Sequence, residues 1–148
     1  MEQKKNIGFQ FSGFRITAFS FKAPEEPLGE NESFDFETSV GVSHESSALI
    51  VKVGIVVQRS LDQVRCATMV AESLFSTEGL EVDSHTGAVV DVPPDFYATV
   101  ISLAISTTRG ALLVKGAGSF LERVPLPIVD PKAYVPAIME ANKPSVGG

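Results

Sequence analysis

The chain reads as an α+β domain: a four-stranded antiparallel meander sheet with two C-terminal helices on one side and a small hairpin inserted before the last helix. Three observations lead there. Apolar and polar residues alternate with period two in four stretches before residue 76. A stretch from 76 to 94 rich in glycine, proline and acidic residues then breaks the pattern. Helix start and stop signals follow it.

The first strand spans 7–22, with Phe9 and Phe11, then Phe14 and Ile16, then Phe19 and Phe21. Its apolar parity changes near Gly13 and again near Ala18, which is what two bulges produce, because each extra residue moves later side chains across the sheet. After the turn-rich segment 23–29, alternation restarts at Phe34, Phe36, Thr38, Val40 and Val42. Residues 47–57 place Leu49, Val51, Val53, Ile55 and Val57 on one side with Ile50 and Val56 on the other, so this strand is central. Residues 44–47 and 58–63 are hairpin connections, and a fourth strand runs from Val64 to about Phe75.

Segment 76–94 is a long crossover loop. A helix begins at Pro93 or Pro94, where a missing N–H costs little, carries Asp95 in its first turn and stops at Arg109-Gly110. Residues 111–114 and 120–124, around Lys115-Gly116-Ala117-Gly118-Ser119, form the hairpin. Asp130-Pro131 caps a last helix through about Ala141, which Pro136 breaks or restarts. Residues 1–6 and 142–148 are tails around a single domain, 7–141.

Composition narrows the function classes. At 148 residues, 44% hydrophobic and 20% charged, the chain has enough apolar surface for one core and is not a disordered sequence. One cysteine, Cys66, neither staples a fold nor supplies a structural zinc site, which fits a reducing compartment. A net charge of -6 opposes nucleic-acid binding. The first residues lead into a patterned strand instead of an unbroken apolar stretch, so the expected location is the cytoplasm, with no export signal.

From Phe96 to Thr108 no residue is charged, and apolar positions occur all round the helical wheel. A helix of that kind is covered on both sides, and a thirteen-residue run falls short of the roughly twenty that span a bilayer. The second cover is either the chain's own C-terminal elements or another subunit. The reading adopted is a homo-oligomer, with Phe96, Tyr97, Val100, Ile101, Leu103, Ala104 and Ile105 as interface candidates.

The order of elements and several local motifs resemble the SecB family of export chaperones. Residues 14–24 are similar to that family's first-strand segment: Phe19-Ser20-Phe21 and Ala23-Pro24 match, and Lys22 departs. Phe96-Tyr97-Ala98 resembles the opening of its long helix, Thr108-Arg109-Gly110 its end, and Leu126-Pro127-Ile128-Val129-Asp130 the entry to its last helix. Residues 111–124 look like an insertion. The resemblance implies an ATP-independent bacterial holdase, a tetramer built as a dimer of dimers or a dimer, binding unfolded or nascent polypeptides in apolar grooves. Candidate groove linings are Phe9, Phe11, Phe14, Phe19, Phe21, Phe75 and Phe120. In the family, docking to the SecA motor uses acidic residues; here Ala18, Lys22 and Thr68 occupy the corresponding positions, so no SecA affinity is expected. Another partner, such as a toxin–antitoxin pair, stays open.

No catalytic set assembles, and no cofactor or metal is implied. His44 and His85 fall in expected loops without partners at ligand spacing. Gly116-Ala117-Gly118 is a tight turn instead of a dinucleotide fingerprint, and Cys66 is a buried thiol with no nearby histidine. Ser20 and Thr108 lack a base, and Glu25, Glu26, Glu30 and Glu32 solvate a turn. Two other readings stand beside the holdase: a small α+β protein enclosing an apolar ligand, and a structural or partner-binding subunit with the same fold.

Overall fold

The structure, a computed structural model, describes residues 8–22, 33–45, 48–79, 81–82, 89–90, 92–123 and 129–141. The expected tails, His85 and the four clustered glutamates lie outside them. Strands β1 (Gly8–Phe21), β2 (Phe34–Glu45), β3 (Ala48–Arg59) and β4 (Arg65–Glu78) form one antiparallel sheet in the order β1-β4-β3-β2. The α+β class, the four strands and the two C-terminal helices follow the sequence reading.

Strand order departs from a simple meander. β2, β3 and β4 follow one another, but β1 pairs with β4. The reason is visible in β4, which is apolar on both faces: Met69, Ala71 and Phe75 are buried on the inner face, and Val70 and Leu74 occupy the outer one. An edge position would leave such a strand half uncovered, whereas the observed order flanks both β3 and β4.

The two expected bulges are present, at Ser12 and Thr17, where the β1–β4 register slips between Phe11 and Gly13 and between Ile16 and Ala18. Each bulged hydroxyl donates to a β4 carbonyl, Ser12 to Leu74 at 3.1 Å and Thr17 to Val70 at 3.2 Å. The slips hold Phe9, Phe11, Phe14, Ile16, Phe19 and Phe21 on one face, opposite Thr77, Phe75, Ser73, Ala71, Met69 and Ala67.

A short pair, β5 (Glu81–Val82) with β6 (Val89–Val90), sits inside the crossover. Helix α1 then runs from Pro94 to Lys115. It passes through Gly110, where a stop was expected, because Leu112, 1% exposed, belongs to the core. Termination falls to Gly116, whose N–H bonds to the Leu112 carbonyl at 2.9 Å. The expected hairpin at 111–124 is therefore absent. Residues 111–115 are the end of α1, and Phe120–Arg123 is a 3-10 turn. A four-residue apolar run such as Ala-Leu-Leu-Val does not distinguish strand from helix by period.

At 22 residues α1 is long and apolar enough to cross a membrane by length and composition, so the length argument against a bilayer fails. One side of it is packed: α1 lies over β3 and β4, and its Tyr97, Val100, Ile101, Ala104 and Leu112 share a core with Leu49, Val51, Val53, Ile55 and Val57. Asp130 caps a second 3-10 turn, Pro131–Tyr134, by accepting from the Lys132 N–H at 3.0 Å. Helix α2 follows at Val135–Ala141. Pro136 is its second residue, in the first turn where no helical N–H is needed, so the helix restarts around the proline instead of breaking there.

Candidate functional site

The six apolar side chains of β1 face the helical layer, yet α1 lies over β3 and β4. Phe9 packs edge-on against Phe96 of α1 at 5.6 Å and against Phe75 at 6.0 Å; Phe11 meets Phe75 at 5.3 Å. At the far end Lys115 stands 6.0 Å above the Phe19 ring. Phe9, Phe11 and Phe21 nevertheless stay 38%, 43% and 40% exposed. With roughly 200 Å² per phenylalanine, the exposed portions sum to about 240 Å² of ring surface along one edge strand.

Phe14 and Phe19 are half-buried in the same row. Phe75 is fully buried, so it forms the floor under Phe9 and Phe11 instead of lining a groove. Phe120 stacks on Phe21 at 5.4 Å and on Phe34 at 5.5 Å, closing one end of the inner face between the two edge strands. It is a plug at that end.

The interface candidates divide in the same way. Phe96, Tyr97, Val100, Ile101, Ala104 and Ile105 are buried by the chain itself, and Leu103 alone of the seven is exposed, at 42%. The six buried ones lie on the stripe of the wheel that meets the sheet, so they are not a surface for a second copy. The bare stripe is instead Thr99, Ser102, Leu103, Ser106, Gly110 and Leu113, none of them charged. Val114, 75% exposed, lies on one flank of it and the partly exposed Arg109 on the other. The threonines of α1 satisfy their own hydroxyls: Thr99, Thr107 and Thr108 donate to the carbonyls of Asp95, Leu103 and Ala104 at 2.9, 2.7 and 2.7 Å. The bare stripe continues into a trough lined by Asp95, Ala98, Thr99, Ser102, Leu103 and Lys132.

Polar groups are held apart from these surfaces. His44 lies at the end of β2 instead of in a loop, with Nε2 3.3 Å from the Tyr97 hydroxyl and Nδ1 buried without a partner. Burial pushes the His44 pKa down and the Tyr97 pKa up, so both stay neutral at pH 7. This pair was not legible in the sequence, because the two residues are 53 positions apart. Ser73, 0% exposed, sits in the core with its hydroxyl unpartnered. Cys66 is buried outside any disulfide, its Sγ donating to the Val64 carbonyl at 3.5 Å. Gly116-Ala117-Gly118 is a tight turn, with Gly118 at φ +81°, and it closes a helix instead of a hairpin. Among the described residues no group of three His, Cys, Asp or Glu is placed to hold a metal.

Ala18 and Ser20 lie on the outer sheet face, opposite Val70 and Thr68, and Lys22 is exposed beyond them. At the β3–β4 turn, Asp35 accepts from Gln63 at 2.9 Å and Ser60 at 3.0 Å. The Gln63 bond, then that from Ser60, holds its carboxyl below the usual range.

No family model and no curated protein matches this sequence. Among solved structures, the chain is similar to a SecB-like chaperone of Mycobacterium tuberculosis, in a structure with a ChAD peptide from the HigA1 antitoxin. Identity is 18% and the TM-score 0.41, over 47% of this chain. The match spans 53% of the other chain, about half its length.

Proposed function

We propose that this chain is a SecB-like, ATP-independent holdase that binds unfolded or nascent polypeptides on its apolar β1 face and performs no catalytic step. The observation that carries the reading is the row of Phe9, Phe11 and Phe21, each about two-fifths exposed on the inner side of an edge strand. A soluble domain rarely leaves aromatic rings in line unless something covers them, and about 240 Å² of ring contributes on the order of 6 kcal/mol when removed from water. Contacts of this kind are non-directional, which suits clients that share no sequence.

Copies of the chain associate through the exposed stripe of α1 around Leu103, as a dimer or a dimer of dimers in the cytoplasm. SecA is not the expected partner: the outer face carries Ala18, Thr68 and a basic Lys22 where opposite charge would be needed, and calorimetry against SecA is expected to give no measurable binding. Segments from a toxin–antitoxin pair belong among the polypeptides to be tried. Native mass spectrometry combined with suppression of aggregation of a chemically denatured client tests the whole reading. An oligomer that holds the client in solution without nucleotide supports it; a monomer without effect on aggregation overturns it.

A further inference from the structure

We infer that the open edge of β1 takes a short extended polypeptide segment as an added antiparallel strand, so that main-chain hydrogen bonds hold the client together with ring contacts; this rests on the holdase reading above. The hydrogen-bond parity of the sheet leads to it. The Lys22 N–H bonds to the Cys66 carbonyl at 2.8 Å, which fixes the even-numbered residues of β4 as those turned toward β1. The bulged hydroxyls agree, since they reach the carbonyls of Leu74 and Val70. Following the register through both bulges, the residues of β1 paired with odd-numbered β4 positions are Phe9, Phe11, Phe14, Ile16, Phe19 and Phe21.

In an antiparallel ladder these residues turn their N–H and C=O away from β4, toward the free edge. The residues that present the aromatic row are thus the same ones that present unbonded backbone. A strand added there places its own inward side chains beside the rings, and its amides reach backbone groups that nothing among the described residues bonds.

The two bulges decide what kind of chain fits. They cut the edge into runs of four residues, 8–11, 13–16 and 18–21, each offering two edge-facing residues before the register slips. A long rigid strand loses its ladder at each slip, whereas a flexible chain re-registers. The most exposed rings fall in the same short runs, Phe9 and Phe11 in the first and Phe21 in the last. Both points favour short extended stretches of an unfolded chain over a second copy. The other edge is less open. On β2 the Tyr134 hydroxyl donates to the Thr38 carbonyl at 3.4 Å, and this carbonyl faces outward because the Ser60 N–H bonds to Ser33.

Backbone N-methylation tests the inference without altering the protein. The probe is a fluorescein-labelled peptide of alternating leucine and serine, flanked by lysines. It is made unmodified, with N-methylated leucines, or with N-methylated serines. In antiparallel addition the leucine N–H groups point at β1 when the leucine side chains lie beside the rings, so methyls there clash and methyls on the serines do not. Binding at least tenfold weaker for the leucine set than for the serine set is expected by fluorescence anisotropy. Hydrogen exchange is expected to slow at the amides of Phe9, Phe11, Phe14, Ile16, Phe19 and Phe21, and not at Phe34, Phe36, Val40 and Val42. Equal affinities for the two methylated sets, the reverse order, or protection confined to β2 overturns strand addition and leaves the holdase reading intact. Failure of the unmodified peptide to bind overturns the holdase reading itself.

Discussion

Replacing Phe11 by alanine separates the two jobs that the β1 rings perform. Phe11 is 43% exposed, so of roughly 200 Å² about 85 Å² faces solvent and about 115 Å² is packed on Phe75 and its neighbours. If a client covers the solvent-facing part, its loss removes about 2 kcal/mol of binding at 25 cal/mol per Å², a roughly thirtyfold weaker affinity. The packed part costs the fold about 3 kcal/mol by the same coefficient. Phe75→Ala supplies the contrast: its ring is fully buried, so the whole penalty, about 3–5 kcal/mol, falls on stability. Urea denaturation gives the stability change of each variant, and anisotropy titration of a labelled unfolded client, at a temperature where both are folded, gives the affinity change. Phe11→Ala is expected to weaken client binding by well over tenfold, and Phe75→Ala by less than threefold. Equal client affinity for folded Phe11→Ala and the parent protein refutes the reasoning, because the exposed ring then meets no client.

The remaining predictions concern α1, its cap and His44. Leu103→Lys places a charge on the bare stripe and is expected to give monomers by light scattering, with stability within about 0.5 kcal/mol of the parent monomer because the site is exposed. Gly110→Ala meets nothing within 4 Å inside the chain, so the helix gains about 0.5–1 kcal/mol of intrinsic stability. If copies pack closely across the stripe, the same methyl weakens their association, and monomer stability and dissociation constant then move in opposite directions. Gly116→Ala would bring a Cβ to 2.6 Å from Leu121 Cβ and is expected to cost about 1–3 kcal/mol in denaturant titration. Burial lowers the His44 pKa below its ordinary value of 6.5, so the unfolded chain takes up the proton first. The stability contribution is therefore complete above pH 6.5 and is lost as pH falls through the lowered value. Denaturation between pH 8 and pH 5 shows that slope, and His44→Phe flattens it.

Local patterning settled much of this protein. Alternation along 34–42 and 47–57 specified two strands and their faces, because side chains on a strand point to opposite sides whatever it pairs with. The parity changes near Gly13 and Ala18 specified the bulges for the same reason, and Asp130-Pro131 specified a cap through bonds that span only two residues. The aromatic row was legible as six positions that share a face once the bulges are counted.

What required the tertiary structure was every choice among distant partners. Arg109-Gly110 carries a helix stop signal, but burial of Leu112 in a core built from β3 and β4 outweighs one glycine's cost, about 1 kcal/mol. The apolar circumference of α1 told that two faces need cover without telling which one the sheet takes; packing assigned Tyr97, Ile101 and Ala104 to the chain itself and left Thr99, Leu103 and Gly110 bare. Phe75 and Phe11 are the same residue type in alternating strands, yet one is floor and the other surface, because β4 has a neighbour on each side and β1 on one. Side-chain direction is a property of a few consecutive residues, whereas exposure depends on which segments, tens of residues away, arrive to cover them.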